Sequence, residues 1–406
     1  MEKVVITGMG SFSPIGKNVA EFEESLFAGR HGIATIDHFD TTDIAVRVGA
    51  RITDYEPEQH FPANQVWRLD TYSQYGMIAA REAVHESGIL DDVDPYRFGV
   101  FMSSGFGGIG TVLEEHRTLL EQGPRRVSSM LVPKWIGNML SGLVAIEHGA
   151  HGSAVAHVAA CASSAMSIGE GMRAIRHGYA DAVICGGGEG IAQKLAVVGF
   201  QNLRALSTEA DPDRACLPFD RHRSGFVMGE GGAALVLESE SHAKARGATI
   251  HAEVSGYGTT NDASHVTAPA KDGEAVDRAI TDALAEAGAR DETVHVNAHG
   301  TGTPKNDRLE AAAIERILGG KAVVSSTKSM TGHLLGAAGA TEAVAAVLAL
   351  RRQAVPPTVG TSELDDDVRI DVVHGAARPV MLDRALSLSL GFGGHNTCLV
   401  LDRADG

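Results

Sequence analysis

Short apolar runs, most of them leading into a glycine turn and a helix-length segment, recur along the whole chain. They lie at residues 4–7, 99–103, 182–185, 233–237, 294–297, 323–325 and 386–390. Runs of this kind, without strict polar alternation, predict strands buried on both faces between helices. The pattern therefore predicts an α/β protein of layered architecture. No Pro- or Ser-rich linker divides it, and the predicted seam lies near residue 250, after the charged helical segment 238–246.

Across that seam the first part of the chain is echoed by the second. Phe98-Gly-Val-Phe-Met-Ser-Ser-Gly-Phe-Gly-Gly108 shares its strand-then-glycine order with Val294-His-Val-Asn-Ala-His-Gly-Thr-Gly-Thr303. Ala160-Cys-Ala-Ser-Ser-Ala165 opens a predicted helix, as does Gly332-His-Leu-Leu-Gly-Ala-Ala-Gly339. Each helix leads to a strand and a glycine-rich turn, Cys185-Gly-Gly-Gly188 and Gly391-Phe-Gly-Gly394. The shared order predicts two similar halves, 1–250 and 251–406.

Composition narrows the class of function. The chain has 406 residues, 44% hydrophobic and 21% charged, an ordinary globular make-up. A net charge of −16 with no basic stripe argues against nucleic-acid binding. No apolar run approaches the ~18 residues of a membrane span, so no membrane partner is expected. The N-terminus reads at once as strand and turn, with no signal-peptide pattern. Cysteines 161, 185, 216 and 398 form no Cys-x-x-Cys pair, which predicts neither a metal site nor a disulfide framework and suits a reducing cytoplasm.

Three segments stand out as chemistry. Cys161 is placed between an apolar strand and a helix, where unpaired N–H groups would favour a thiolate. Alone, a cysteine is more often a small buried hydrophobe, as expected of Cys185 and Cys398. Two further motifs change that balance. His299 sits on the glycine turn of Asn297-Ala-His-Gly-Thr-Gly-Thr-Pro304, at the end of an apolar strand. Lys328 and His333 lie in Ser325-Ser-Thr-Lys-Ser-Met-Thr-Gly-His333, just ahead of an apolar helix. Histidines flanked by glycine are poor core fillers, because the glycines remove the packing that a core histidine needs.

In these segments the chain resembles the elongating β-ketoacyl-acyl-carrier-protein synthases. Leu203-Arg-Ala-Leu-Ser-Thr208, Pro218-Phe-Asp-Arg-His-Arg-Ser-Gly-Phe-Val-Met-Gly-Glu-Gly231 and Gly391-Phe-Gly-Gly-His-Asn396 agree as well, and the likeness spans nearly the whole chain. The resemblance implies the thiolase fold, two duplicated halves in a five-layer αβαβα sandwich. It implies that Cys161 takes up an acyl chain and that His299 and His333 stabilise the enolate formed by decarboxylating a malonyl thioester. It assigns an oxyanion hole to the N–H groups of Cys161 and Phe392, in the turn opened by Gly391. Asp262 matches a loop that gates the pocket, and Lys328 a buried lysine paired with a carboxylate such as Glu310. Without the family match, the 391–394 turn would read equally as a plain loop and Asp262 as a turn residue. Phe106 is expected at the far end of the acyl pocket, with a core aromatic as the alternative.

The resemblance implies no cofactor and no metal. The expected partners are an acyl- or malonyl-loaded carrier protein and either a second copy or a homologous chain-length-factor subunit. Arg125, Arg126 and Arg204 fall where the family meets its carrier protein. In Asn64-Gln-Val-Trp-Arg-Leu69 only Arg68 remains of the family's basic cluster, a departure that puts the usual docking face in question. Two rivals are weaker. Gly105-Phe-Gly-Gly-Ile-Gly110 spells a dinucleotide-binding fingerprint, but no comparably placed acidic residue ends a following strand. A non-catalytic chain-length factor would lack Cys161. A ketosynthase subunit of a reducing type II polyketide pathway is the alternative to fatty-acid elongation, favoured by the atypical Trp67, Phe106, Trp135, Leu390 and His395 and by the atypical stretch 189–195.

Overall fold

A computed structural model describes residues 2–190, 193–288 and 290–404. The predicted runs all become strands. In the first part these are β1 (Val4–Phe12), β2 (Phe98–Ser103), β3 (Ala154–Val155), β4 (Ala182–Glu189) and β5 (Gly231–Ser239). The second part adds β6 (Ala252–Asn261), β7 (Val294–Asn297), β8 (Ala322–Ser325), β9 (Asp371–Val372), β10 (Arg384–Gly391) and β11 (His395–Arg403). They join in the order β9-β8-β7-β10-β11-β6-β1-β5-β4-β2-β3. Outward from the β1/β6 junction, each side reads first, fifth, fourth, second and third strand of its part, with β9 added at one edge. The junction itself is short, pairing Val5 with Glu253 and Ile6 with Ala252.

Six helices complete the layers. α1 (Thr71–Ser87) and α2 (Met139–His148) pack on the outer face of β1, β4, β5 and β2. α4 (Glu274–Ala287) packs on the opposite outer face, against β6 and β11, beside α5 (Pro304–Leu318). Between the two sheet regions lie α3 (Ser163–Arg176) and α6 (Ala338–Arg352), each touching strands of both. A helix apolar all round has no solvent face to offer, so it belongs at the centre. α6 meets that condition, because residues 338–350 are all buried and Glu342 is the one ionisable residue among them. The central apolar cluster accordingly draws Ile168 and Met172 from α3, Val344 and Leu348 from α6, and Leu235 and Leu399 from the two sheet regions.

Both central helices start in the same way. A single 3₁₀ turn precedes each, Ala160–Ala162 and Leu335–Ala337, and its first residue has φ of 49°. A non-glycine residue in the left-handed region costs about 1–2 kcal/mol, which the buried surroundings must hold in place. The two turns touch each other. Ala160 therefore corresponds to Leu335 and Cys161 to Gly336, three residues along from the pairing that the sequence echo suggested. A second correction concerns the approach to Cys161. Only Ala154–Val155 form a strand there, and residues 156–159 are irregular.

Candidate active site

The two 3₁₀ turns and the ends of β7 and β10 converge on one cavity of about 520 Å³. Cys161, His299 and His333 line it, together with Phe200, Phe226, Gly391 and Phe392. Sγ of Cys161 and one nitrogen of each histidine lie within 4.8 Å of one another. The imidazole rings stand edge to face, with centroids 5.3 Å apart. Three residues separated by up to 172 positions thus meet at one point.

Hydrogen bonds settle which nitrogen each histidine presents. The buried Lys328 ammonium donates to Nδ1 of His299 at 3.2 Å, so the ring proton sits on Nε2. The Leu335 N–H donates to Nδ1 of His333 at 3.3 Å, with the same consequence. Nε2 of His333 is buried and has no protein partner. Burial first, then the Lys328 charge, lowers both histidine pKa values well below the usual range, so both rings are neutral. Two neutral imidazoles therefore stand beside the thiol.

The thiol departs from expectation. Burial pushes Cys161 up to about 12, opposed by the Lys328 charge and by the N–H of Phe392. Desolvation outweighs both, and the resting group is a thiol rather than a thiolate. Access still distinguishes it, because Cys161 is half-buried while Cys185, Cys216 and Cys398 are buried.

Gly391 explains how the 391–394 turn reaches Cys161. A Cβ there would lie 2.5 Å from the carbonyl oxygen of Ala159 and 3.4 Å from the N of Cys161. Only glycine allows that approach, which brings the Phe392 N–H onto Cys161. Asp262 lies at the cavity mouth, where it accepts from Asn396 Nδ2 at 2.7 Å and from the Ala270 N–H at 2.8 Å.

Glu310 is not the lysine's partner. It accepts the N–H groups of His299 at 2.6 Å and Gly300 at 2.8 Å, so it holds the histidine turn. The carboxylate paired with Lys328 is Glu342 of α6. α5 begins just after the 299–303 turn and aims Glu310 back at that backbone, whereas α6 runs through the core beside Lys328. The lone acid in an apolar helix was the available signal for Glu342. Phe226, edge-on to His333 at 5.2 Å, was not singled out, although it lies in the 218–231 segment that shares the resemblance.

The remaining expected residues separate. Phe106 does not line the cavity; it is 43% exposed and packs edge-on against Phe200, which does. It buttresses the wall rather than forming it. Arg204 lines the mouth, whereas Arg68, Arg125 and Arg126 are exposed and lie outside the lining. Arg68 lies over the Trp67 ring at 5.0 Å. The glycine-rich turn at 105–110 cannot cradle a pyrophosphate. Glu189 takes the Gly105 and Phe106 N–H groups, and Asp70 takes that of Thr111. The three donor atoms at the thiol are spaced as a metal would require, but a buried ammonium 3.2 Å from His299 opposes a second cation there.

Breaking the buried pair has a predictable cost. Glu342→Ala leaves Lys328 uncompensated in the core and is expected to destabilise the protein by about 3–5 kcal/mol. Urea unfolding of the variant measures it, and a loss below 1 kcal/mol would contradict the pairing.

Neutral donors over a thiol, at the junction of two equivalent sheet regions, suit the handling of an enolate beside a thioester. They place the chain among the thiolase-fold condensing enzymes. The chain belongs to the β-ketoacyl synthase family: the N-terminal domain model of that family matches residues 1–243 and the C-terminal domain model residues 251–362. It is 42% identical to the 3-oxoacyl-[acyl-carrier-protein] synthase 2 of Synechocystis sp., over 99% of this chain and 98% of that protein. Identity to the Staphylococcus aureus protein of the same name is 44%, with the same coverage. Among solved structures, the ishigamide ketosynthase/chain length factor superposes with a TM-score of 0.92 at 35% identity, over the full length of both chains.

Proposed function

We propose that the protein is a decarboxylating β-ketoacyl-acyl-carrier-protein synthase of fatty-acid-type elongation. The observation that carries this reading is the cluster of the Cys161 sulfur with one nitrogen of each of two neutral histidines, all within 4.8 Å of one another. The Cys161 sulfur attacks an acyl thioester, its proton leaves on the carrier's thiol, and an acyl-enzyme remains. A malonyl thioester then loses carbon dioxide by cleavage of its carboxyl C–C bond. The negative charge develops on the thioester oxygen, where His299 and His333 donate. The enolate carbon attacks the acyl-enzyme carbonyl, whose oxyanion is held by the N–H groups of Cys161 and Phe392. Collapse expels Cys161 as a thiolate, which takes a proton from water to restore the resting thiol, and releases the β-ketoacyl product. Lys328, held by Glu342, keeps the His299 proton on Nε2.

The relatives named for an acyl carrier protein support that partner, with Arg204 at the mouth and Arg68, Arg125 and Arg126 as further docking groups. The reading places the protein in the cytoplasm. Among the described residues, no helix is long and apolar enough to cross a membrane. Division at residue 250 is supported by the repeated strand order and by the break between the two family matches. Dimerisation is supported at the β3 edge, where Val155, Val158, Trp135 and Ile146 are exposed. The similarity to a ketosynthase/chain length factor keeps a second reading, a polyketide ketosynthase working with a non-catalytic homologue. Reconstitution with acyl- and malonyl-loaded carrier protein, read by intact mass, is the test. Elongation by the purified homodimer supports fatty-acid synthesis, and dependence on a cysteine-lacking homologue supports the alternative. Absence of acylation on Cys161 refutes both.

Chain length is expected to respond to Phe106. Phe106→Ala leaves Phe200 free to swing outward, so longer acyl primers should be accepted. Because the ring is partly exposed, the stability loss should stay below the ~3–5 kcal/mol of a fully buried phenylalanine. A ladder of acyl-carrier primers checks this, and an unchanged cutoff rules out the buttress.

A further inference from the structure

The turn that carries Phe106 is held by a carboxylate that the reaction above does not use. Glu189, at the end of β4 and fully buried, accepts from the Ser104 hydroxyl at 2.8 Å and from the Gly105 N–H at 2.8 Å. It also accepts from the Phe106 N–H and, at 3.0 Å, from the Gly336 N–H. These are N–H and O–H donors, and no ion pair reaches the group among the described residues. Burial raises its pKa to about 7, and the donors oppose that rise because they favour the anion.

The two turns that meet at this carboxylate have different tasks. Gly336 belongs to the turn whose Leu335 N–H fixes Nδ1 of His333. The 104–107 turn presents Phe106 behind Phe200 in the cavity wall. Their backbones are in contact: a Cβ on Gly336 would lie 2.2 Å from the N of Gly105 and 2.8 Å from Oε2 of Glu189. Ser104 tightens the near side by accepting the Gly107 N–H at 2.9 Å.

We propose that Glu189 is a positioning residue that ties the Phe106 turn to the turn orienting His333, so that one carboxylate sets both the pocket wall and the decarboxylating histidine. It touches no substrate and acts through the two backbones. An acyl tail that pushes Phe200 back onto Phe106 therefore acts on His333 through Glu189. The proposal deepens the function proposed above and rests on it.

The test uses the full-length protein with Glu189→Gln, whose amide turns an NH₂ toward donors, and Ser104→Ala, which removes one donor. Decarboxylation of malonyl-carrier protein is expected to fall in kcat on the order of tenfold to a hundredfold in Glu189→Gln, with KM unchanged, because a small displacement of the donor suffices. The primer-length cutoff should shift in the same variant, and Ser104→Ala should move both readouts less in the same direction. A purely structural role would lower stability and leave kcat per folded molecule and the cutoff untouched. NMR of ¹⁵N-labelled imidazoles reads the His333 tautomer whatever the reaction is. Wild type should show Nε2–H alone, and Glu189→Gln a mixture. If wild type fails to condense while the tautomers mix as expected, the functional reading fails and the positioning role stands. A folded Glu189→Gln with wild-type tautomer, kcat and cutoff overturns the proposal. Should that variant not fold, wild-type values in Ser104→Ala overturn it instead.

Discussion

Cys161→Ala is expected to abolish condensation, by roughly 10⁶-fold, the scale on which loss of a covalent nucleophile acts. The methyl group fits the space of the thiol, and the 3₁₀ turn is held by backbone contacts, so the fold should persist. Malonyl decarboxylation should survive, because the histidine donors remain in place. In the wild type, iodoacetamide should modify Cys161 ahead of Cys185, Cys216 and Cys398, since it alone opens into the cavity. The preference comes from access, because burial raises rather than lowers its pKa. Intact-mass spectrometry follows both. Condensing activity in Cys161→Ala, or first labelling of another cysteine with activity retained, would remove it as the nucleophile.

His299→Ala and His333→Ala should separate the two half-reactions. Each variant should still form the acyl-enzyme, as the oxyanion N–H groups of Cys161 and Phe392 are untouched. Release of carbon dioxide from malonyl-carrier protein should fall on the order of 10²–10³-fold in each, the usual loss for one positioned donor. The larger effect is expected at His333, whose Nε2 is buried without a protein partner and is therefore kept for the substrate. Single-turnover assays measure acylation and carbon dioxide release independently. Normal release from both variants would show that the charge is stabilised elsewhere.

Much of the fold was legible because it depends on pattern. Apolar runs too continuous to alternate must be covered on both faces, and all of them are strands. The repeated order of runs, helices and glycine turns carried the duplication, and the strand order repeats accordingly. Cys161, His299 and His333 were legible for a related reason. The two histidines stand beside glycines, where ordinary core packing would not put them, and their company marks out Cys161 at its helix start. The register of the echo was not legible, because Ala160 and Leu335 are matched by backbone conformation, which neither side chain betrays.

What the sequence determined by itself is the α/β class, the doubled order of its elements, and the choice of Cys161, His299 and His333 as the residues that meet in the cavity, all set by local pattern and by motif. What only the tertiary structure decided are the partners and the electrostatics. Glu310 and Glu342 are both buried acids, yet the path of α5 turns one to a backbone and the path of α6 brings the other to Lys328. The resting state of Cys161 was decided in the same way. A helix start is visible in one dimension, but desolvation comes from every neighbour at once, and here it prevails. Phe106 lies behind the cavity wall rather than in it, because Phe200, 94 positions away, occupies the space between. Contacts between distant segments set hydrogen-bond partners and burial, and no local pattern encodes them.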